Sequence, residues 1–140
     1  MYIKYLLTII FILFIEFIWL YLINKKTYSD LTKSIQKTEM KINYLYTIIA
    51  YIVILSSIFI LSIPFIKSKF NKNDTIKNKL LKALIYGSIV GFYIYGIYNL
   101  TSIAIYTNYK LKIALIDTLW GMILYSSASI LYIFIESYVE

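Results

Sequence analysis

Four long apolar blocks, residues 5–23, 42–66, 83–106 and 113–135, are separated by short connections that carry most of the lysines. This pattern constrains the chain more than any other feature. A helix rises 1.5 Å per residue, so a block of about 20 residues crosses the ~30 Å hydrocarbon core of a bilayer. The first block has 19 residues and an acid inside it, Glu16, and no small-residue cleavage site follows. It therefore reads as an uncleaved first span and not as a signal peptide. The expected architecture is an all-α integral membrane four-helix bundle, one multi-pass domain covering residues 1–140.

Composition narrows the chemistry. The chain is 61% hydrophobic, against about 45–50% for soluble domains. Cysteine and histidine are absent. That removes disulfides, thiol nucleophiles, the usual zinc ligand sets and Ser-His-Asp catalysis, so no cofactor, metal or catalytic residue is expected. All 14 basic residues are lysine, and the net charge is +7. The lysines flank apolar blocks, which points to anionic lipid headgroups and not to nucleic acid.

Within the first connection, residues 24–41, the stretch SDLTKSIQKTEMK suits a short surface helix with Ser29 or Asp30 as N-cap. Leu31, Ile35 and Ile42 would give it a thin apolar edge; an exposed loop is the alternative. Pro64 falls in the last turn of the second block, where it ends or kinks a helix cheaply. The second connection, residues 67–82, holds six lysines around NKNDTIKNK, and Asn73-Asp74-Thr75 matches the glycosylation sequon. Four spans put both termini on one side. Each side carries seven lysines; Lys4 and the dense second connection favour cytoplasmic termini.

The two tryptophans each follow an acid by three residues, in Glu16-Phe17-Ile18-Trp19 and Asp117-Thr118-Leu119-Trp120. An acid at mid-bilayer costs roughly 2.5–3.5 kcal/mol, so depth matters. Counting from the block ends, Glu16, Asn99 and Asp117 all lie within about 6–11 Å of one interface, the far side reached at the end of block one. Thr47 and Tyr51 reach similar depth, as does Tyr46. Gly87 and Gly91 form a small-xxx-small pattern for close helix packing, and Gly121 shares a face with Asp117. The expectation is one shallow polar pocket lined by Glu16, Trp19, Tyr98, Asn99, Thr101, Ser102, Asp117 and Trp120. The competing reading makes the same residues interhelical hydrogen-bond glue.

The segments EFIWLYLINKKTY and ALIYGSIVGFYIYGIYNLTSIAIYTNYKLKIALIDTLWG resemble the small family of predicted membrane proteins known as domain of unknown function 2177. Its pattern has an acid-x-x-Trp in the first span, matched by Glu16 and Trp19. It has Tyr-Asp-Leu-Thr-Asn at the end of the third, matched by Tyr98, Asn99, Leu100, Thr101 and Ser102. It has Asp-x-x-Trp-Gly in the fourth, matched by Asp117, Trp120 and Gly121. Asn99 stands where the family carries an acid, and Ser102 where it carries Asn. The resemblance implies a four-span protein of bacteria or large DNA viruses, so a viral membrane is an alternative home. Bacterial members resemble companions of fatty-acid- or phospholipid-modifying genes. The leading function is a non-enzymatic membrane protein whose polar pocket binds a lipid or small solute. A small transporter or proton-relay subunit, a structural envelope component and an intramembrane lipid-modifying enzyme are the alternatives. The expected partners are membrane lipids, with a homo-oligomer or a second membrane protein as further partners.

Overall fold

A computed structural model describes residues 2–139. Five helices follow one another: α1 (Ile3–Ile23), α2 (Lys25–Gln36), α3 (Tyr44–Lys67), α4 (Ile76–Ile105) and α5 (Leu111–Val139). All but α2 are long and apolar enough to cross a membrane. Among the described residues there is no strand.

α5 is the central helix. Almost half of its apolar window is buried, against about a fifth for the other spans. It pairs along its length with antiparallel α4, and glycines set how close the two approach. A Cβ built on Gly91 would lie 2.2 Å from the Gly121 carbonyl oxygen, and one on Gly87 would lie 2.8 Å from the Ser126 Cα. Gly121 in turn receives the Tyr95 ring, whose nearest atoms would be 2.3 Å from an added Cβ. Close backbone approach of this kind drives helix association in lipid, where the hydrophobic effect between helices is absent. The other faces of α5 take α1 and the middle of α3, and Ile12, Ile58, Ile63 and Ile66 join one buried cluster with Leu124, Tyr125, Ala128 and Ile133. Two hydroxyl–hydroxyl bonds join α3 to α5: Ser57 to Tyr125, and Ser62 Oγ to Ser129 Oγ at 3.2 Å.

Two of the spans contain a π-helical segment. In α1 it covers Ile18–Ile23, closed by Asn24 N–H donating to the Trp19 carbonyl at 2.9 Å. In α3 it covers Ile58–Ser62. Pro64 has no N–H to give the turn before it, and the wide turn lies just upstream. The helix runs on three residues past Pro64 to Lys67, which leaves Pro64 in its last turn.

At the near side, where the chain begins, Glu136 of α5 accepts from Lys4 of α1 at 2.6 Å and from Lys67 of α3 at 2.8 Å. Lys4 is buried, and Tyr132 covers its ammonium at 5.4 Å. This cluster ties three helices at the end opposite the tryptophans. From the sequence, Lys4 reads only as a topology signal. The connection after α3 is shorter than expected, because Thr75 accepts from Asn78 N–H as an N-cap and starts α4 at Ile76. Within the sequon, Asp74 is held by Lys82 Nζ at 2.6 Å and by the Asn71 N–H. The Lys82 hydrogen bond is the main reason that its carboxyl titrates below the usual carboxylate range.

The glycines make a direct test. Gly91→Ala should destabilise the folded protein by roughly 1–3 kcal/mol, because the helix backbones must separate. Gly96→Ala should be near neutral, since its added Cβ would meet nothing closer than 3.7 Å. Thermal unfolding in one detergent compares the two; equal losses would mean that α4 and α5 are not packed through Gly91.

Candidate functional site

The first connection builds the roof of the site. α2 begins at Lys25, earlier than Ser29 or Asp30, and ends where Lys37 adopts the left-handed conformation at φ 62°. Its inner edge holds Leu31, which is buried, and Tyr28. Asn108, in the turn before α5, donates to the Ser34 carbonyl at 2.9 Å and ties α2 to that turn. α2 thus lies over the far end of the bundle as a strap.

Under the strap, Asp117 of α5 has both carboxyl oxygens occupied. Tyr28 Oη donates to Oδ1 at 2.5 Å, and Asn99 Nδ2 of α4 donates to Oδ2 at 2.8 Å. Asn99 also donates to the Tyr95 carbonyl at 2.9 Å, and its Oδ1 accepts from Tyr109 at 2.7 Å. Four segments, α2, α4, the turn before α5, and α5 itself, therefore meet on one acid and one amide. This geometry suits an amide at position 99. An aspartate there would face Asp117 with no hydrogen to give, unless the two shared a proton, and could not supply two donors. Burial, and then the hydrogen bond given to Asp117, push the Tyr28 phenol well above its ordinary range. Burial likewise pushes Tyr109 up to about 12, with the neighbouring Tyr98 and Asp117 adding to it.

The tryptophans cross over. Trp120, from the Asp117 tetrapeptide, donates its indole N–H to Glu16 Oε1 at 2.7 Å. Trp19, from the Glu16 tetrapeptide, donates to Tyr28 Oη at 3.1 Å. The two rings stack face to face, 4.4 Å between centroids and 2° from parallel. Each acid is thus served by the other acid's tryptophan, one directly and one through Tyr28. The π-helical segment of α1 begins one residue before Trp19, at the turn that carries it into the stack.

Glu16 differs from Asp117 in one respect. It is 4% exposed, yet Oε2 has no hydrogen-bond partner among the described residues; the single bond to its carboxyl is the one from Trp120. Glu16 lines a cleft of about 580 Å³ between α1 and α3. The cleft arises because the first half of α3, Tyr44–Ser57, buries no residue. Its walls are mainly apolar and aromatic: Leu13, Phe17 and Leu20 on one side, Ala50, Tyr51 and Ile54 on the other, with Thr47 between and Lys25 at the strap. A smaller pocket of about 330 Å³ lies under α2 against Tyr28, Tyr98, Tyr109 and Asp117.

The expected pocket residues therefore separate. Trp19, Asn99, Asp117 and Trp120 join one network with Glu16. Ser102 is buried, but its hydroxyl returns to the Tyr98 carbonyl of its own helix at 2.8 Å. Thr101 does not belong to the layer. It is exposed and bonds to the Ile97 and Tyr98 carbonyls, because two residues of helix turn it about 200° from Asn99. Tyr98 is largely exposed and reaches only the rim of the smaller pocket. Tyr46, expected at this depth, faces outward and is exposed. Tyr28, Tyr95 and Tyr109 are residues of the network that the sequence did not single out. Tyr28 ends the EFIWLYLINKKTY segment, which was the one signal for it.

A family model described as a predicted membrane protein, DUF2177, matches residues 1–134. The chain belongs to this family. No curated protein and no solved structure matches it. Membership and the four spans make it an integral, multi-pass membrane protein.

The Asp117 latch predicts the behaviour of α2. Tyr28→Phe leaves one acceptor of Asp117 empty and should cost roughly 1–3 kcal/mol, with amide exchange in α2 accelerating before that in α4 or α5. In the wild type, Tyr28 donates only while protonated, and its folded-state pKa lies above its unfolded one. The latch therefore contributes fully below the ordinary tyrosine value of about 10 and is lost only as pH rises beyond it. Unchanged exchange in the variant would show that the strap is held by Leu31 and Asn108 alone.

Proposed function

We propose that this protein binds a membrane amphiphile in the cleft between α1 and α3, with an acyl chain along the apolar walls and a polar group against Glu16. The observation that carries the reading is the unpartnered carboxyl oxygen of Glu16 on the wall of a mainly apolar and aromatic cleft. That oxygen opens on the cleft, whose mainly apolar walls bring it no donor, so a bound polar group would complete its hydrogen bonding. The volume falls within the ~300–1,000 Å³ of small-molecule sites. The cleft lies in a membrane span, so chains from the bilayer are the ligands at highest local concentration. Asp117, by contrast, has its oxygens filled and acts as the structural partner of the pair. On this reading the partners are membrane lipids, and both termini are cytoplasmic, on the strength of the lysines that cluster between α3 and α4.

Ala50 offers a way to close the cleft from its α3 wall. A phospholipid with a photoactivatable acyl chain, incubated with the purified protein in nanodiscs, should label cleft residues such as Phe17, Leu20 and Ile54. Ala50→Trp should cut that labelling severalfold without changing the unfolding midpoint. Labelling that is equally strong on outward residues such as Ile97 and Leu100, and insensitive to Ala50→Trp, would contradict the proposal.

A further inference from the structure

The polar lining of the cleft narrows the headgroup of its ligand, an inference that rests on the cleft binding an amphiphile. Glu16 offers one free acceptor oxygen, Oε2, and no donor from the described residues reaches it. Aromatic rings surround the same cleft: Phe17, Tyr21, Tyr28, Tyr44 and Tyr51. The one cation among the lining residues is Lys25, on the strap; its Nζ lies 5.8 Å from the centre of the Tyr21 ring. A hydroxyl would give Glu16 a single neutral donor. An ammonium gives up to three donors and a charge opposite to that of the carboxylate. It is also attracted to aromatic faces, the standard surroundings of amine and quaternary-ammonium ligands. A group bearing only negative charge would find hydroxyls there, Thr47 and Tyr51, but no cation other than Lys25 on the strap to offset the carboxyl group. Lys25, nearer the aqueous surface by its place in α2, suits a phosphate carried by the same molecule.

We infer that Glu16 receives an ammonium, and that the ligand is an amine-bearing lipid with a zwitterionic headgroup, an ammonium beside a phosphate. The chemistry is that of an ethanolamine-type phospholipid: acyl chain between α1 and α3, ammonium on Glu16 Oε2 among the aromatic rings, phosphate toward Lys25.

Native mass spectrometry of the full chain, titrated with phosphatidylethanolamine and phosphatidylglycerol of identical acyl chains, tests this. The wild type should retain the ethanolamine lipid about tenfold more tightly, the size of one hydrogen bond to a charged group. Glu16→Gln, checked for unchanged helix content and elution, should bring the two lipids to similar retention. Tyr51→Leu, which leaves Glu16 in place, should narrow the preference without abolishing it, and serves as the second variant should Glu16→Gln fail to fold. Equal retention by the wild type, or a preference that survives Glu16→Gln, overturns the ammonium assignment while leaving the cleft reading intact. Retention of neither lipid, together with absent acyl-chain labelling, overturns both.

Discussion

Asp117 is the point on which the far half of the structure depends. A carboxyl group inside a span must be met by donors, since the surrounding hydrocarbon offers none. Here the donors come from Tyr28 of the surface strap and Asn99 of the neighbouring span. Satisfying one acid thereby fixes the position of α2, the pairing of α4 with α5 at that depth, and the turn between them through Tyr109. The Trp19 indole leans on the same Tyr28 hydroxyl and stacks on Trp120. Through that stack the order imposed at Asp117 reaches Glu16.

The two acids look alike in sequence and differ in the structure. Both Asp117 carboxyl oxygens accept a hydrogen bond within the protein, whereas Glu16 has a bond on one oxygen only and opens on a cleft. On the proposed reading, glue and ligand site are two roles divided between two residues, where the sequence offered them as rival readings of one layer. The near-side cluster of Lys4, Lys67 and Glu136 completes the frame. It clamps α1, α3 and α5 at one end, while α1 and α3 diverge at the other.

Much of this was legible in the residues. The four apolar blocks gave the spans, and counting from their ends brought Glu16, Asn99 and Asp117 to one layer, because helix rise is fixed. The small-xxx-small spacing pointed to the α4 face that meets α5. What stayed hidden depends on geometry that no count supplies. Periodicity put Glu16 beside Trp19 and could not foresee that Trp120 would be its donor across the bundle. Thr101 lay next to the right motif but on the wrong face. Tyr28 lay in a polar connection, and nothing local told it apart from the other 15 tyrosines of the chain. The α1–α3 cleft is an absence of packing, which leaves no pattern in the sequence of either helix.

The central claim is the division of labour between the acids, and a paired comparison tests it. Glu16→Gln and Asp117→Asn are purified in one detergent, and unfolding midpoint and co-purifying lipid are measured on the same samples. Asp117→Asn should lose roughly 1–3 kcal/mol of stability, whereas Glu16→Gln should keep the wild-type midpoint and co-purify with less lipid. Equal destabilisation by both, with lipid content unchanged, would contradict the account.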